Sequence, residues 1–146
     1  MFCELACDGI GAGTGEDHQT AGQLGWMHIG GRCDQPHSED PVGDIIHLAR
    51  PQNSNLPIGG QLVSVAASSG NVEQAHQRLR RFPQAVAEDM EGFAVALACQ
   101  LADVPLIVIR GISNTVGNRD IQTWQTTDAL HAAATLATAL LQRPPA

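Results

Sequence analysis

A chain of 146 residues, 43% hydrophobic and 16% charged, is long enough for one domain and apolar enough to bury a core, which excludes wholesale disorder and two independent domains. Its formal net charge is -7 and its eight basic residues are all arginine, so a surface that tracks nucleic-acid phosphates does not fit, whereas a small polar ligand does. Cys3, Cys7, Cys33 and Cys99 are irregularly spaced, no hydrophobic leader follows Met1, and no apolar run nears the roughly 20 residues of a membrane helix. A reduced, cytoplasmic protein is expected.

From Met1 to about Pro57 the chain is rich in Gly, His, Asp and Pro, with an apolar run only at Ile45-Ile46, and reads as loop with short strands. Leu62, Val63 and Val65 predict a strand, and Ala66 to Gly70 a small-residue turn. Asn71 is placed to cap a helix through Val72, Ala75, Leu79 and Phe82, which Pro83 ends. The stretch from Ala94 to Ala102 is apolar on nearly every side and predicts a helix buried in the fold. Pro105 to Ile109 reads as a parallel strand covered on both faces, with Arg110 where it emerges. A polar loop from Gly111 to Asp120 follows. Thr127 then opens a helix with Leu130, Ala134, Ala137 and Leu141 along one face, and the Pro144-Pro145 end frays. This is the order of an open α/β sheet, in which ligands lie beyond the carboxyl ends of the strands and Ser113 and Asn114 fall in the expected crevice.

Two other features carry weaker chemistry. Asp8-Gly9-Ile10-Gly11-Ala12-Gly13-Thr14-Gly15 has the glycines of a nucleotide loop without a clear strand before it or a helix after it, so a connector is the default. His18, His28, Cys33, His37 and His47 include zinc-ligand types but lack the paired spacing of a structural site, so no metal is expected. Trp26 and His28 could border a pocket, or Trp26 could anchor a loop.

The most specific signal is Glu88-Asp89-Met90-Glu91-Gly92-Phe93-Ala94, followed by Pro105-Leu106-Ile107-Val108-Ile109-Arg110-Gly111-Ile112-Ser113-Asn114 and then Gly117-Asn118-Arg119. Acidic residues around a methionine at a helix entrance, then an apolar strand ending in Arg-Gly-Ile-Ser-Asn, resemble the purine nucleoside phosphorylase and nucleosidase superfamily. Within it, Met-Glu-Gly-Phe-Ala with Gly-Ile-Ser-Asn-x-x-Gly-x-Arg is most similar to the futalosine hydrolases. The methylthioadenosine/adenosylhomocysteine nucleosidases are similar to a lower degree. The resemblance is specific over residues 84–124 and fades towards the N-terminus.

It implies a three-layer αβα nucleoside phosphorylase-like fold with a mixed central sheet, N-terminally incomplete, forming one partial domain over residues 1–146. It also implies hydrolysis of futalosine to hypoxanthine and dehypoxanthine futalosine in menaquinone biosynthesis, without a cofactor, by an enzyme that acts on a small nucleoside and can assemble as a homo-oligomer. Glu91 would receive the ribose 2′- and 3′-hydroxyls and stabilise the cationic sugar of the transition state. Alone it would read as a helix N-terminal glutamate favoured by the macrodipole. Met90 would pack on the ribose, or simply fill space. Phe93 reads first as core, and the resemblance adds it to the substrate-binding set. Glu88 and Asp89 orient or solvate the turn.

Asn114 stands where adenine-specific relatives carry an aspartate. An amide cannot supply an acid's proton, but it can donate to a 6-oxo group and accept from N7–H of a protonated leaving base, which favours a 6-oxopurine. A turn residue is its alternative reading. Ser113 either assists at the base or caps the turn. Arg110 pairs with a carboxylate more readily than with ligand. Arg119 reads first as a partner of Asp120, with a grip on the futalosine carboxylate as the alternative.

Family members begin with a strand whose carboxylate activates the attacking water, and a later glycine-rich segment nears the ribose; neither is legible here. A weakly active form, a purine phosphorylase, and a non-catalytic purine-binding module therefore stand as alternatives to the hydrolase.

Overall fold

The computed structural model describes residues 1–8, 19–25, 27–29, 31–32, 34–36, 42–48 and 59–142. The main sheet has four strands: β1 (Glu4–Asp8), β4 (Ile45–His47), β5 (Gln61–Val65) and β6 (Ala85–Asp89), in the order β4-β1-β5-β6. β1 and β5 are parallel, as are β5 and β6, while β4 runs antiparallel to β1. The short strands β2 (Gly31–Arg32) and β3 (Gln35–Pro36) form a separate antiparallel pair. Among the described residues the helices are α1 (Val72–Arg81), α2 (Gly92–Leu101) and α3 (Thr126–Leu141), with a 3-10 turn at Ile121–Thr123. The α/β class and mixed sheet are those expected.

Side-chain alternation along β1 and β5 gives the sheet two apolar faces. Leu5, Cys7 and Leu62 meet Phe93 and Ala96 of α2, together with Val108, on one face. Ala6, Val63 and Val65 meet Phe82, at the end of α1, on the other. Helices thus lie on both sides of the strands, as a layered α/β domain requires.

The N-terminal part holds the short strands expected of it, and one of them takes a place that its residues do not announce. β1 is central and hydrogen-bonded on both edges, although Glu-Leu-Ala-Cys-Asp contains no β-branched residue to advertise a strand. β6 is also a strand where none is expected, Glu88 and Asp89 at its end reading only as residues that orient or solvate a turn. The helix expected after Asn71 is present, its Asn71 Oδ1 accepting from the Gln74 amide at 2.9 Å. Phe82 closes it, before Pro83.

Three other expectations need correction. The segment 105–109 joins no ladder; Val108 packs against Leu5 and Cys7 of β1, and its carbonyl accepts from the amide of Phe2, just before that strand, at 3.1 Å. β4 and β5 occupy both edges of β1, so this segment has no strand edge there to complete. The α2 helix is buried along one face only, through Gly92, Phe93 and Ala96, whereas Val95 and Leu101 are exposed. On α3 the face turned inward is Ala129, Ala133, Leu136, Ala137 and Leu140; of the expected stripe only Ala137 belongs to it, and Leu130, Ala134 and Leu141 face outward.

The seating of α3 explains its register. A Cβ on Gly111 would lie 2.0 Å from the Ala129 carbonyl oxygen, so two backbones touch and only an alanine face can approach. Gly111→Ala is expected to force them apart and cost about 1–3 kcal/mol, read as a lowered urea midpoint. Gly117 has φ +85° and would also press a Cβ against the Asn71 backbone at 2.7 Å, so glycine is required on both counts. Among the described residues no helix is long and apolar enough to cross a membrane.

Candidate active site

An open cleft of about 680 Å³ lies where the β5–α1 turn faces the loop after residue 110. Ser68 and Ser69 form one side, Ser113, Asn114 and Arg119 the other, and Trp124 borders it. The expected crevice position of Ser113 and Asn114 is thus where a cleft exists.

The loop is held by its own polar groups. The Gln125 amide donates to the Ser113 carbonyl at 2.7 Å, and the Asn118 amide to the Thr115 carbonyl at 3.0 Å. Trp124 Nε1 donates to the Asn118 carbonyl at 3.3 Å. Asp120 caps the 3-10 turn by accepting from the Gln122 amide at 3.1 Å. Asp120 is therefore not the partner of Arg119, contrary to the first reading of that arginine. Arg119 Nη1 instead donates to Ser68 Oγ at 2.8 Å, joining the two sides.

Asn114 has its orientation fixed by its neighbours. Its Nδ2 donates to the Thr115 carbonyl at 3.1 Å and to the Asn118 carbonyl at 3.4 Å, while Oδ1 accepts from Ser113 Oγ at 2.8 Å. Turning the amide over would set its oxygen against two carbonyl oxygens. Both amide hydrogens are thus committed within the loop, and spare capacity remains on Oδ1 and on the Ser113 hydroxyl, as acceptors. The expected donation from this amide to a 6-oxo group is not available in this arrangement.

Met90, Glu91 and Phe93, at the start of α2, are not among the residues that line the cleft, which Glu88 and Arg110 reach from the same region. Phe93 is buried in the core, its ring 4.7 Å from that of His28. Met90 is exposed. Glu91 stands at the N-cap position but makes no side-chain cap hydrogen bond, and among the described residues its carboxylate has no partner. Helix capping through the side chain therefore does not account for it.

The acidic pair before Met90 has a larger structural role than its sequence suggested. Asp89 ends β6 and accepts from Ser64 Oγ (2.6 Å), the Gly92 amide (3.1 Å) and Arg110 Nη2 (3.0 Å). Arg110 is carboxylate-bound, as expected. Glu88 accepts from the Ser69 amide (2.6 Å), Ser69 Oγ (2.8 Å) and Arg78 Nη1 (2.9 Å). Arg78 also reaches Asp8 through Nε at 3.0 Å and the Ala67 carbonyl through Nη2 at 2.6 Å. Sequence reasoning missed this network because its members are far apart in the chain; the one available signal was a serine pair, Ser68-Ser69, in the turn after β5.

Of the zinc-type residues, His28 lies 3.3 Å from Asp44, and His47 lies 3.2 Å from Glu4. His18, Cys33, His37, Trp26 and the glycine run from Gly9 to Gly15 fall outside the described residues. Among the described residues no three His, Cys, Asp or Glu side chains converge to hold a metal ion.

The family model of the phosphorylase superfamily matches residues 34–143. The chain belongs to this superfamily. Among curated phosphorylase-superfamily relatives, the futalosine hydrolase of Acidothermus cellulolyticus is 40% identical over 120 residues, which are 80% of this chain and 47% of the relative. The futalosine hydrolase of Streptomyces coelicolor is 38% identical over 92 residues, 63% of this chain and 38% of the relative. The 5′-methylthioadenosine/S-adenosylhomocysteine nucleosidase of Staphylococcus haemolyticus is 34% identical over 101 residues, 68% of this chain and 42% of the relative. The chain thus spans less than half the length of each of these superfamily members. No solved structure gives a significant match.

Proposed function

We propose that the chain serves a nucleosidase that hydrolyses the N-ribosidic bond of futalosine, releasing hypoxanthine and dehypoxanthine futalosine in the cytoplasm. The observation that carries this reading is the 40% identity to a futalosine hydrolase over 80% of the chain, to which the acceptor character of Asn114 at the cleft adds a place for the leaving base. When the bond between the sugar C1′ and the base breaks, its electron pair leaves with the purine, which must take up a proton. Asn114 Oδ1, with its Nδ2 hydrogens held by Thr115 and Asn118, suits the N–H of a protonated leaving base. The Ser113 hydroxyl donates to that same Oδ1 and so fixes it as an acceptor. That acceptor serves the N7–H of a leaving purine, and the preference for a 6-oxopurine rests on the similarity to futalosine hydrolases.

Glu91 supplies the complementary charge. Its unpartnered carboxylate at the start of α2 suits a ribose diol, and attraction to the sugar grows as positive charge develops on it. Water then adds to C1′ and loses a proton, which balances the one that the purine takes up. Met90 offers an apolar surface beside that carboxylate. The similarity to futalosine hydrolases over four-fifths of the chain supports the choice of substrate.

The test is incubation of the purified chain with futalosine, inosine and methylthioadenosine, with and without phosphate, following free base by chromatography. Phosphate-independent hypoxanthine release from futalosine is the expected result. Release only in the presence of phosphate would make the reaction a phosphorolysis instead. Asn114→Asp is expected to lower kcat/KM for futalosine by about 10-fold or more and to raise the ratio of adenine to hypoxanthine released from mixed substrates. An unchanged ratio would remove Asn114 from base recognition.

A further inference from the structure

Arginine pairing is almost complete among the described side chains of this acidic chain. Arg78, Arg80, Arg81 and Arg110 each lie 2.8–3.1 Å from an Asp or Glu oxygen. Arg119 is the exception among the five described arginine side chains, since its partner is the neutral Ser68 hydroxyl. It departs from the pattern although a carboxylate, Asp120, is its immediate neighbour and is used to cap the 3-10 turn.

Its position gives this exception a chemical meaning. The ionisable residues lining the cleft are Glu88, Arg110 and Arg119. Glu88 is matched by Arg78, and Arg110 by Asp89, so Arg119 carries the unmatched charge of the cleft. A guanidinium has five N–H donors in a rigid fork, and one contact to Ser68 leaves most of them for a ligand. The same hydroxyl limits the swing of the side chain. A purine has no anionic group, so a counter-charge must come from elsewhere on the ligand or from a co-substrate.

We propose that Arg119, braced by Ser68, is an oxyanion-binding residue of this cleft, and that it selects nucleosides bearing a carboxylate outside the purine. The assignment of the ligand as a nucleoside rests on the function proposed above, whereas the oxyanion preference does not. Two sources share the chemistry, a carboxylate on the nucleoside and free inorganic phosphate, and the test separates them.

Binding of futalosine, inosine and inorganic phosphate is measured by calorimetry for the wild-type chain and for R119Q, R119K and S68A, with hypoxanthine release followed in parallel. Futalosine is expected to bind R119Q about 10–100-fold more weakly than wild type, as loss of a charge-assisted bidentate contact implies. Inosine affinity is expected to change less than twofold. R119K should recover part of the loss, and S68A should lose a few-fold, because the charge persists but its position is less defined. Loss of phosphate binding in R119Q, with futalosine unchanged, would keep the oxyanion site but overturn selection by a nucleoside carboxylate.

Equal weakening of futalosine and inosine, no change in either with phosphate binding also unaltered, or a wild-type chain that binds neither oxyanion would overturn the proposal. Selective loss of futalosine binding without base release in the wild type would uphold the oxyanion site and reject the hydrolase reading. Base release with R119Q indistinguishable from wild type for every ligand would do the reverse.

Discussion

Arg78→Met is expected to destabilise the fold by about 3–5 kcal/mol, the largest stability effect of any single substitution considered for this chain. The Arg78 side chain is 15% exposed and lies between Asp8, at 1%, and Glu88, at 12%. Methionine keeps the unbranched stem and removes the charge, so two carboxylates lose the cation they share. Arg81 still holds Asp8 at 2.8 Å, but Glu88 keeps only Ser69 as a neutral partner. Chemical denaturation of the variant beside Arg80→Met provides the comparison. Arg80 pairs with Glu73 on the surface, where both side chains are about two-thirds exposed, and its loss should cost under about 1 kcal/mol. Equal midpoints for the two variants would show that the buried network contributes little.

Glu91→Gln carries the largest expected effect on activity, a fall of about 10²–10³ in kcat. The substitution preserves size and hydrogen-bonding reach and removes only the negative charge. Because that charge matters most when the sugar becomes cationic, KM should move little while kcat falls. Stability should be unaffected, since Glu91 is exposed and makes no cap hydrogen bond. Single-turnover base release, with a thermal unfolding control, separates the two effects. A variant with unchanged kcat would exclude Glu91 from stabilising the transition state.

Parts of this architecture were legible in the sequence because their signals are local. Asn71 followed by an amphipathic run up to Pro83 specifies α1, and Leu62, Val63 and Val65 specify the centre of β5. The site loop was legible from its motif, and its glycines have direct physical causes at Gly111 and Gly117. Other parts depend on partners that sequence order hides. β1 is a strand because two neighbours pair with it, although its residues have little strand preference. The inward face of α3 is chosen by the contact between Gly111 and Ala129, which outweighs the larger apolar surface of Leu130 and Leu141. The Pro105–Ile109 segment shows the opposite case, a strong strand pattern that finds no place beside β1, whose two edges β4 and β5 occupy.

The position of Asp89 also bears on how this protein could change over time. One carboxylate anchors the first turn of α2, where Glu91 sits, and the arginine from which the base-side loop departs. Glu91 and Asn114 are separated in the chain, yet the segments bearing them have a common mechanical support. Drift at position 89 would disturb both together, whereas drift at Ser113 or Arg119 leaves that support intact. New ligand preferences are therefore more accessible through the loop than through the helix entrance, and variation among descendants of this chain should concentrate on the loop side of the Asp89–Arg110 bond.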